Sequence, residues 1–229
     1  MKAAIIQSNY IPWKGYFDII HDVDTFVFLD DVQYTHRDWR NRNKIKTPNG
    51  LKWLSVPVIG GQDQLIKDVK INNSIPWNTK HKETIHHCYA SAPYYHSYNT
   101  EIFDILLKKN DSLSDLNITL IKKISGMLDI CVEFILSTDL KCDGNKDDKL
   151  INICHRIGAD HYVSGPAAKS YIQQENFLKN NIELSYKDYS GYPEHPQLWG
   201  EFEHSVSILD IIFNCGDKSS DFIWGWRND

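Results

Sequence analysis

The chain has 229 residues, 41% of them hydrophobic, and a formal net charge of −5 at pH 7. This length accommodates one well-buried α/β domain with a helical insertion, and we expect a single domain over residues 1–229. The charge balance gives no indication of nucleic acid or of an anionic membrane as a partner. The sequence has no run of about 18 apolar residues and no signal-peptide pattern, so we expect a cytoplasmic protein without membrane contact.

The first third of the chain predicts a strand, a helix and a second strand. Residues 2–6 form a short apolar run typical of a buried parallel strand, and residues 14–22 carry apolar side chains on one helical face. Residues 25–30 are rich in β-branched and aromatic side chains. Both strands end in polar clusters, at the place where parallel sheets bind ligands.

An antiparallel excursion and a helical middle segment follow. The Asn49-Gly50 pair between residues 43–48 and 51–58 predicts a β-hairpin, and the alternation at residues 65–71 predicts a half-exposed strand. Apolar spacings predict helices at 76–90, 94–109 and 112–128, the last capped by Ser112 or Ser114. The helical insertion therefore spans residues 76–129.

The rest of the chain alternates strands and helices. We predict strands at 132–138, 161–165 and 182–188, and helices at 145–157, 170–180 and 205–214. This pattern predicts an α/β fold, with a Rossmann-like parallel sheet flanked by helices, an antiparallel β-hairpin excursion and a helical middle segment.

Cysteine and histidine spacings do not indicate a metal site. The five cysteines are scattered and form no Cys-x-x-Cys pair, which predicts mostly buried, reduced thiols. The histidine-rich helix places His86 and His87 about 100° apart, whereas zinc helices need ligands on one face. We therefore expect an exposed histidine face, with His86 or His87 as a candidate for general acid or base chemistry.

The first polar cluster follows the first strand. Its candidate binding residues are Gln7, Asn9, Tyr10, Trp13, Lys14 and Gly15. A glycine at the start of a helix permits close backbone approach, the free N–H groups there favour an anion, and a lysine adds a positive charge. The alternative is a turn that packs Trp13 and Tyr10 into the core.

The second polar cluster follows the second strand. Its candidate catalytic residues are Asp30, Asp31 and His36, and its candidate binding residues are Gln33, Arg37, Trp39, Arg42 and Asn43. Adjacent carboxylates can raise one another's pKa to give a general base, or can hold Mg²⁺ beside a diphosphate. Arginines suit phosphate, and tryptophan suits a sugar or base. The alternative is a loop in which the aspartates neutralise Arg37, Arg40 and Arg42.

A third cluster and an aromatic C-terminus complete the candidates. Ser164 and Gly165 end a predicted strand and can offer a hydroxyl and N–H groups to a phosphate or acyl oxygen, with Tyr171 at the same mouth. No Gly-x-Ser-x-Gly elbow surrounds Ser164, so a binding turn is favoured over a nucleophile. Trp224-Gly225-Trp226 indicates either a homodimer contact or core packing.

Several separated motifs resemble one known family. The stretches QSNYIPWKGYF, LDDVQYTHRDWRNRNKIKTPNGLKWLSVPV, GADHYVSGPAAKSYI and SILDIIFNCG together resemble the WbqC-like family. This resemblance implies a role in bacterial surface-polysaccharide (O-antigen) synthesis, by transfer of a small acyl or aminoacyl group such as glycyl. A deeper resemblance links the first strand and helix to nucleotidyltransferases with a His-x-Gly-His signature. In that register Trp13 and Tyr16 replace the two histidines, which speaks against nucleotidyl transfer.

These observations lead to one working hypothesis and two alternatives. The hypothesis is a transferase that acylates the amino group of a nucleotide-linked sugar, using a thioester, acyl-carrier or aminoacyl donor. The sequence identifies no cofactor for this chemistry and leaves open whether Mg²⁺ takes part. The alternatives are a degenerate nucleotidyltransferase and a non-catalytic module that binds a nucleotide sugar or glycan. The sequence leaves open whether the three clusters meet.

Overall fold

The computed structural model of the chain describes residues 1–61 and 63–228. The strands are β1 (Lys2–Ile6), β2 (Thr25–Phe28), β3 (Arg42–Thr47), β4 (Gly50–Ser55), β5 (Val58–Ile59), β6 (Lys70–Ile71), β7 (Glu133–Leu136), β8 (His161–Ser164) and β9 (Glu183–Tyr186). The α-helices are α1 (Lys14–His21), α2 (Trp77–Tyr89), α3 (Tyr95–Leu107), α4 (Leu113–Met127), α5 (Ser137–Leu140), α6 (Asp147–Ile157), α7 (Gln174–Lys179) and α8 (Leu209–Cys215).

Among the described residues, five parallel strands form the central sheet in the order β7-β2-β1-β8-β9. The chain starts in the middle of this sheet, builds outward through β2 and β7, and returns to the other side of β1. The sheet therefore extends from β1 in both directions, and this reversal of the strand order opens a crevice beyond the carboxyl ends of β1 and β8. The predicted α/β fold with a parallel sheet is confirmed.

Strands β1 and β8 separate before they end. β1 pairs with β2 as far as Ile6, but its pairing with β8 stops at Ala3 and Tyr162. Beyond this point the Tyr162 hydroxyl lies 3.5 Å from the Ile5 carbonyl oxygen. The divergence widens the crevice at the reversal of the strand order.

Alternate side chains of the sheet enter two hydrophobic layers. Ala4, Phe26 and Phe28 pack with residues of α1, α8 and the helical middle segment, whereas Ala3 and Val27 pack with residues of α6 and α7. This alternation follows from the two-residue period of a strand. Because both faces are covered, the central strands appear in the sequence as uninterrupted apolar runs.

The predicted hairpin is confirmed as β3 and β4, but its turn lies one residue earlier than Asn49-Gly50 suggests. Thr47 pairs with Gly50, so Pro48 and Asn49 form the loop. The Thr47 hydroxyl accepts a hydrogen bond from the Asn49 N–H (3.2 Å), and Gly50 has a left-handed φ of 97°. Proline suits the first loop position, and glycine supplies the backbone conformation that closes the turn.

The predicted half-exposed strand at residues 65–71 is wrong. Residues 66–68 form a 3₁₀ helix, and only β6 pairs with another strand. The N–H groups of Ile66 and Lys67 donate to the carbonyl oxygens of Val32 (3.0 Å) and Asp30 (2.8 Å). Because these backbone groups bind the loop after β2, they are not available to a neighbouring strand.

The helical middle segment is confirmed as α2, α3 and α4. Ser112 caps α4 by accepting a hydrogen bond from the Asp115 N–H (3.2 Å), and Gly158 ends α6 in a left-handed conformation (φ 74°). The helix predicted at 170–180 is divided into a 3₁₀ helix (Pro166–Ser170) and α7. The bend between them shapes one edge of the crevice.

All five cysteines, each within the described ranges, are free thiols. Cys88, Cys154 and Cys215 are buried, whereas Cys131 is exposed. The prediction of mostly buried thiols is therefore confirmed. Within the same ranges, no helix has both the length and the apolar character needed to cross a bilayer.

A buried carboxylate on α1 anchors the C-terminal segment. The Asp18 side chain is fully buried and forms ion pairs with Lys187 (2.9 Å) and Arg227 (2.8 Å). Nearby, Trp224 stacks on His21 with ring centroids 4.1 Å apart. The C-terminal tryptophan therefore packs against its own chain, as the core-packing alternative predicts, and a homodimer stays a prediction.

Replacing Asp18 should destabilise the protein strongly. Asp18→Asn leaves the charges of Lys187 and Arg227 without their buried partner, so we expect the free energy of unfolding to fall by about 3 kcal/mol. Asp22→Asn is the matched control, because Asp22 pairs with the same Lys187 (3.4 Å) from a side chain that is 40% exposed. There we expect a loss below about 1 kcal/mol. Equal losses in urea denaturation would contradict the assigned role.

Candidate functional site

A cleft of about 440 Å³ lies beyond the carboxyl ends of β1 and β8. Its lining combines cationic, amide and aromatic side chains with the turn after β8, namely Arg40, Lys146, Lys149, Gln7, Asn9, Trp13, Tyr16, Trp39, Tyr171, Tyr189, Ser164 and Gly165. Among the residues that the structure describes, no carboxylate or imidazole lines this cleft. Clustered cations suit a phosphate-bearing ligand, and aromatic faces suit a sugar or base.

A smaller compartment of about 310 Å³ adjoins this cleft. Its walls come from Pro12, Trp13, Trp39, Asn9, Asn43 and Ser205. Asn9, Trp13 and Trp39 belong to both cavities, so these three residues stand where the two spaces meet. The site therefore has a larger cationic part and a smaller, more apolar part.

Arg40 organises the amide groups at this junction. Its guanidinium donates to the side-chain oxygen of Asn9 and to Oε1 of Gln7 (3.2 Å), and it lies 3.6 Å from the Asp38 carboxylate. Asn117 Nδ2 holds the Arg40 backbone carbonyl oxygen (2.8 Å). Because a guanidinium only donates, the amide oxygens of Asn9 and Gln7 must face it. Their amide nitrogens are therefore left to donate to a ligand.

Asp30 supports the loop after β1 rather than lining the cleft. Its carboxylate is 4% exposed and accepts hydrogen bonds from the Ser8 N–H (2.8 Å), the Ser8 hydroxyl (2.7 Å) and the Ser114 hydroxyl. Ser8 stands between the two amide residues of the junction. Asp30 thus connects β2 and α4 to the backbone that positions Gln7 and Asn9.

Asp31 holds a cation of the cleft. Its carboxylate pairs with Lys149 Nζ (2.7 Å) and accepts a hydrogen bond from the Ser137 hydroxyl. Asp30 and Asp31 share none of these hydrogen-bonding partners, although they are neighbours in sequence. No group of three or more side chains arranged to hold a metal ion occurs within residues 1–61 and 63–228.

A tight loop before α6 brings Lys146 and Lys149 to the same edge. Lys146 has a φ of 50°, which is uncommon for a residue with a side chain, and Gly144 has a φ of 118°. A Cβ on Gly144 would lie 2.9 Å from the Lys149 backbone nitrogen. Strained backbone of this kind gathers at functional sites.

Trp13 and Lys14 diverge at the start of α1. The Trp13 indole lines both cavities and folds back over Gly15, where a Cβ would lie 2.3 Å from the ring. Glycine is therefore required to accommodate this indole. Lys14 is 2% exposed and does not line the cleft; its Nζ lies 4.7 Å from the Tyr192 ring centroid and 3.4 Å from the Pro193 carbonyl oxygen. Burial lowers the pKa of Lys14 to about 8.

Tyr10 belongs to the core beneath the loop, as the alternative interpretation of the first cluster predicts for this residue. It is fully buried, and its hydroxyl lies 2.8 Å from His81 Nδ1. The next residue, Ile11, has a φ of 35°, which is a strained conformation for a β-branched residue. Asn43 Nδ2 donates to the Ile11 carbonyl oxygen (2.8 Å) and holds this strained turn. Asn43 therefore both supports the loop and lines the smaller compartment.

The third cluster meets the first at the cleft. Ser164 is 4% exposed, and its hydroxyl accepts a hydrogen bond from the Tyr162 hydroxyl (3.3 Å). Gly165 begins the turn into the 3₁₀ helix, and Tyr171 is 65% exposed at the rim. Parts of the three predicted clusters thus converge on one site through Asn9, Trp39 and Ser164.

Other candidates lie outside the cleft. The Arg42 guanidinium carbon lies 4.3 Å from the Trp53 ring centroid on β4, and Arg42 donates to the Arg37 carbonyl oxygen. Arg42 therefore contacts the β3–β4 hairpin and the backbone of Arg37. His86 Nδ1 lies 2.9 Å from the Tyr95 hydroxyl on α3. His36 and Gln33 are exposed and do not line either cavity. Their predicted roles stay predictions.

Sequence reasoning missed Lys146, Lys149, Tyr16 and Tyr189 as lining residues. Arg40 belongs to the second polar cluster, but the sequence does not distinguish it from the neighbouring Arg37 and Arg42. A signal was present for the lysines, because both stand at the start of the helix that follows a predicted strand. Tyr189 lies in the segment after β9, and no motif in that segment connects it to this cleft.

Comparisons with known proteins cover nearly the whole chain. Residues 7–222 match the WbqC-like protein family. A relative from Mycobacterium tuberculosis, "Uncharacterized protein Rv1507c", is 41% identical over 225 residues, which make up 97% of each chain. No solved structure matches the chain significantly. The matched region contains every residue named above for the cleft and the compartment.

The buried imidazole of His81 should make the stability of the fold depend on pH. Burial lowers the pKa of His81 from 6.5 to about 4, although a backbone hydrogen bond with Ser55 opposes this shift. The unfolded chain therefore binds a proton at His81 that the folded chain does not bind between these pH values. We expect the free energy of unfolding to fall by roughly 3 kcal/mol as the pH decreases from 6.5 to 4.

Two variants test this assignment by urea denaturation at several pH values. In His81→Asn, the free energy of unfolding should depend much less on pH. The remaining pH dependence comes from other buried histidines such as His195, because burial also lowers the pKa of His195. His87→Asn, an exposed neighbour on α2, should retain the full dependence. An unchanged slope in the His81 variant would refute the assignment.

Proposed function

The chain belongs to the WbqC-like protein family, and from this membership and the geometry of the cleft we propose that it transfers an acyl or aminoacyl group to the amino group of a nucleotide-linked sugar. The reaction would serve bacterial surface-polysaccharide (O-antigen) synthesis in the cytoplasm. One observation carries the proposal: a cationic cleft and a smaller apolar compartment meet at Asn9, Trp13 and Trp39. Two adjoining spaces of different chemistry suit two substrates.

The larger cleft suits the nucleotide-linked sugar. Arg40, Lys146 and Lys149 supply positive charge for a diphosphate, and the crevice at the reversal of the strand order is where open parallel sheets bind nucleotides. Aromatic side chains at its walls suit the base and the sugar ring. The sugar amine would then point towards Asn9, at the junction with the donor.

The chemistry is an acyl transfer from a thioester to an amine. The neutral amine nitrogen attacks the carbonyl carbon, a C–N bond forms, and the C–S bond breaks with its electron pair going to sulfur. The amine loses one proton to water and the leaving thiolate gains one, so the products are an amide and a thiol. Positioning and amide donors to the developing oxyanion would provide the rate acceleration.

The direct test is a mass measurement. Purified protein mixed with UDP- or dTDP-linked amino sugars and acyl or aminoacyl thioesters should increase the mass of the sugar by one acyl group. The corresponding sugars with a hydroxyl in place of the amine serve as controls and should gain no mass. If no amino sugar gains mass with any donor, the proposed transfer is wrong.

Lys146 tests the assigned nucleotide position. Lys146→Gln removes one phosphate contact with little structural cost, because this side chain is exposed. We expect KM for the nucleotide-linked sugar to rise about 10-fold, the value of one charge-assisted hydrogen bond. Lys141→Gln is the matched control: Lys141 is an exposed lysine with a φ of 51° that lies outside the cleft lining. An equal rise in both variants would contradict the assigned position.

A non-catalytic binding module is a second candidate. It is favoured by the lack of a carboxylate or imidazole in the lining of the cleft among the described residues. This candidate predicts that the nucleotide-linked sugar binds, with weaker binding in the Lys146 variant, while no donor is consumed. Calorimetric titration alongside the mass measurement separates binding without turnover from transfer.

A further inference from the structure

The smaller compartment has apolar walls and polar groups that are mostly engaged. Pro12, Trp13 and Trp39 provide ring surfaces. Asn43 uses its amide nitrogen on the Ile11 carbonyl oxygen (2.8 Å) and its amide oxygen on the Lys44 N–H (2.7 Å). Both amide atoms of Asn43 already have hydrogen-bonding partners, so Asn43 shapes the compartment but is not counted as a hydrogen-bonding group for a ligand.

Ser205 is also engaged. Its backbone N–H donates to Glu203 Oε1 (2.7 Å), and its hydroxyl also bonds this carboxylate. Glu203 itself does not line the compartment. Among the described residues that line the compartment, no carboxylate is present to pair with a positively charged ligand group.

Asn9 supplies a donor at the junction. Arg40 fixes the Asn9 amide oxygen because its guanidinium can only donate, so Nδ2 is directed away from Arg40. A ligand carbonyl oxygen at the junction would receive this N–H. The compartment therefore offers one hydrogen-bond donor at its entrance and apolar surface within.

We propose that this compartment receives the acyl group of the donor, that this group is uncharged, and that its carbonyl oxygen accepts a hydrogen bond from Asn9 Nδ2. The inference rests on the proposed function and narrows its donor from acyl or aminoacyl to acyl. An aminoacyl group would bring an ammonium against Pro12, Trp13 and Trp39, where no carboxylate is among the described lining residues. Cation–π contact with the indoles offsets only part of the cost of desolvating that charge. Arg40 is then a positioning residue that acts through Asn9.

A matched pair of donors tests the charge. Propionyl and glycyl thioesters of one thiol have the same number of heavy atoms in the acyl group and differ by a methyl against an ammonium. We expect kcat/KM for propionyl to exceed that for glycyl by at least about 100-fold, since even a neutral hydroxyl is rejected by an apolar pocket to about this extent. Equal or preferred transfer of glycyl would overturn the inference while the proposed function stands.

Asn9→Asp tests the donor atom. The new carboxylate retains the contact with Arg40 but replaces the Nδ2 donor by an oxygen. We expect kcat for propionyl transfer to fall about 100-fold, as for the loss of one oxyanion donor, and the ratio of glycyl to propionyl transfer to rise. Asn49→Asp makes the same chemical change in the exposed hairpin turn and should leave kcat and the donor ratio unchanged. An unchanged ratio in the Asn9 variant would contradict the assigned contact.

A binding measurement keeps the inference testable if neither donor is consumed, an outcome that would refute the proposed function. Ligand-observed NMR with propionyl- and glycyl-N-acetylcysteamine reports on the compartment without a nucleotide. Binding of the propionyl compound alone, abolished by Trp39→Ala, supports an uncharged occupant. Equal or tighter binding of the glycyl compound, or binding of neither, overturns it.

Discussion

The buried carboxylate of Asp30 is the constraint on which the rest of the site depends. It comes from the end of β2 and binds both the N–H and the hydroxyl of Ser8 in the loop after β1, together with the hydroxyl of Ser114 on α4. A buried carboxylate is stable only when its oxygens are satisfied, so the loop cannot move independently of β2 and α4. The two residues that flank Ser8 therefore hold fixed positions.

Arg40 extends this constraint from the backbone to the chemistry. The guanidinium reaches Asn9 and Gln7 and decides which end of each amide faces the cleft. Lys149, which lines the same cleft, is held in a comparable way by Asp31. The two acidic residues after β2 thus help to position groups that face the cleft, and those groups are cations, amides and aromatic rings.

The predicted strands of the parallel sheet, the hairpin and the helical middle segment follow from local patterns, and the structure confirms them. The strand predicted at 65–71 is wrong because its N–H groups bind the loop after β2, a tertiary contact that no alternation of side chains reports. In the site, several predicted residues line at least one of the two cavities, namely Gln7, Asn9, Trp13, Trp39, Asn43, Ser164, Gly165 and Tyr171. Residue type favoured Asp30, Lys14 and Tyr10 equally, but the structure buries each of them outside the cavity lining.

By itself the sequence determined that polar clusters end the strands of a parallel sheet, because strand period and residue type are local properties. It could not determine which side of each residue faces the crevice. That depends on the strand order, which places β8 beside β1 although the two strands are far apart in the sequence, and on long-range partners such as the pairing of Asp31 with Lys149, 118 positions apart. Arg40 shows the difference most clearly. The sequence presents it as one of several arginines in a loop, and only the tertiary structure sets it against two amides at the junction of two cavities.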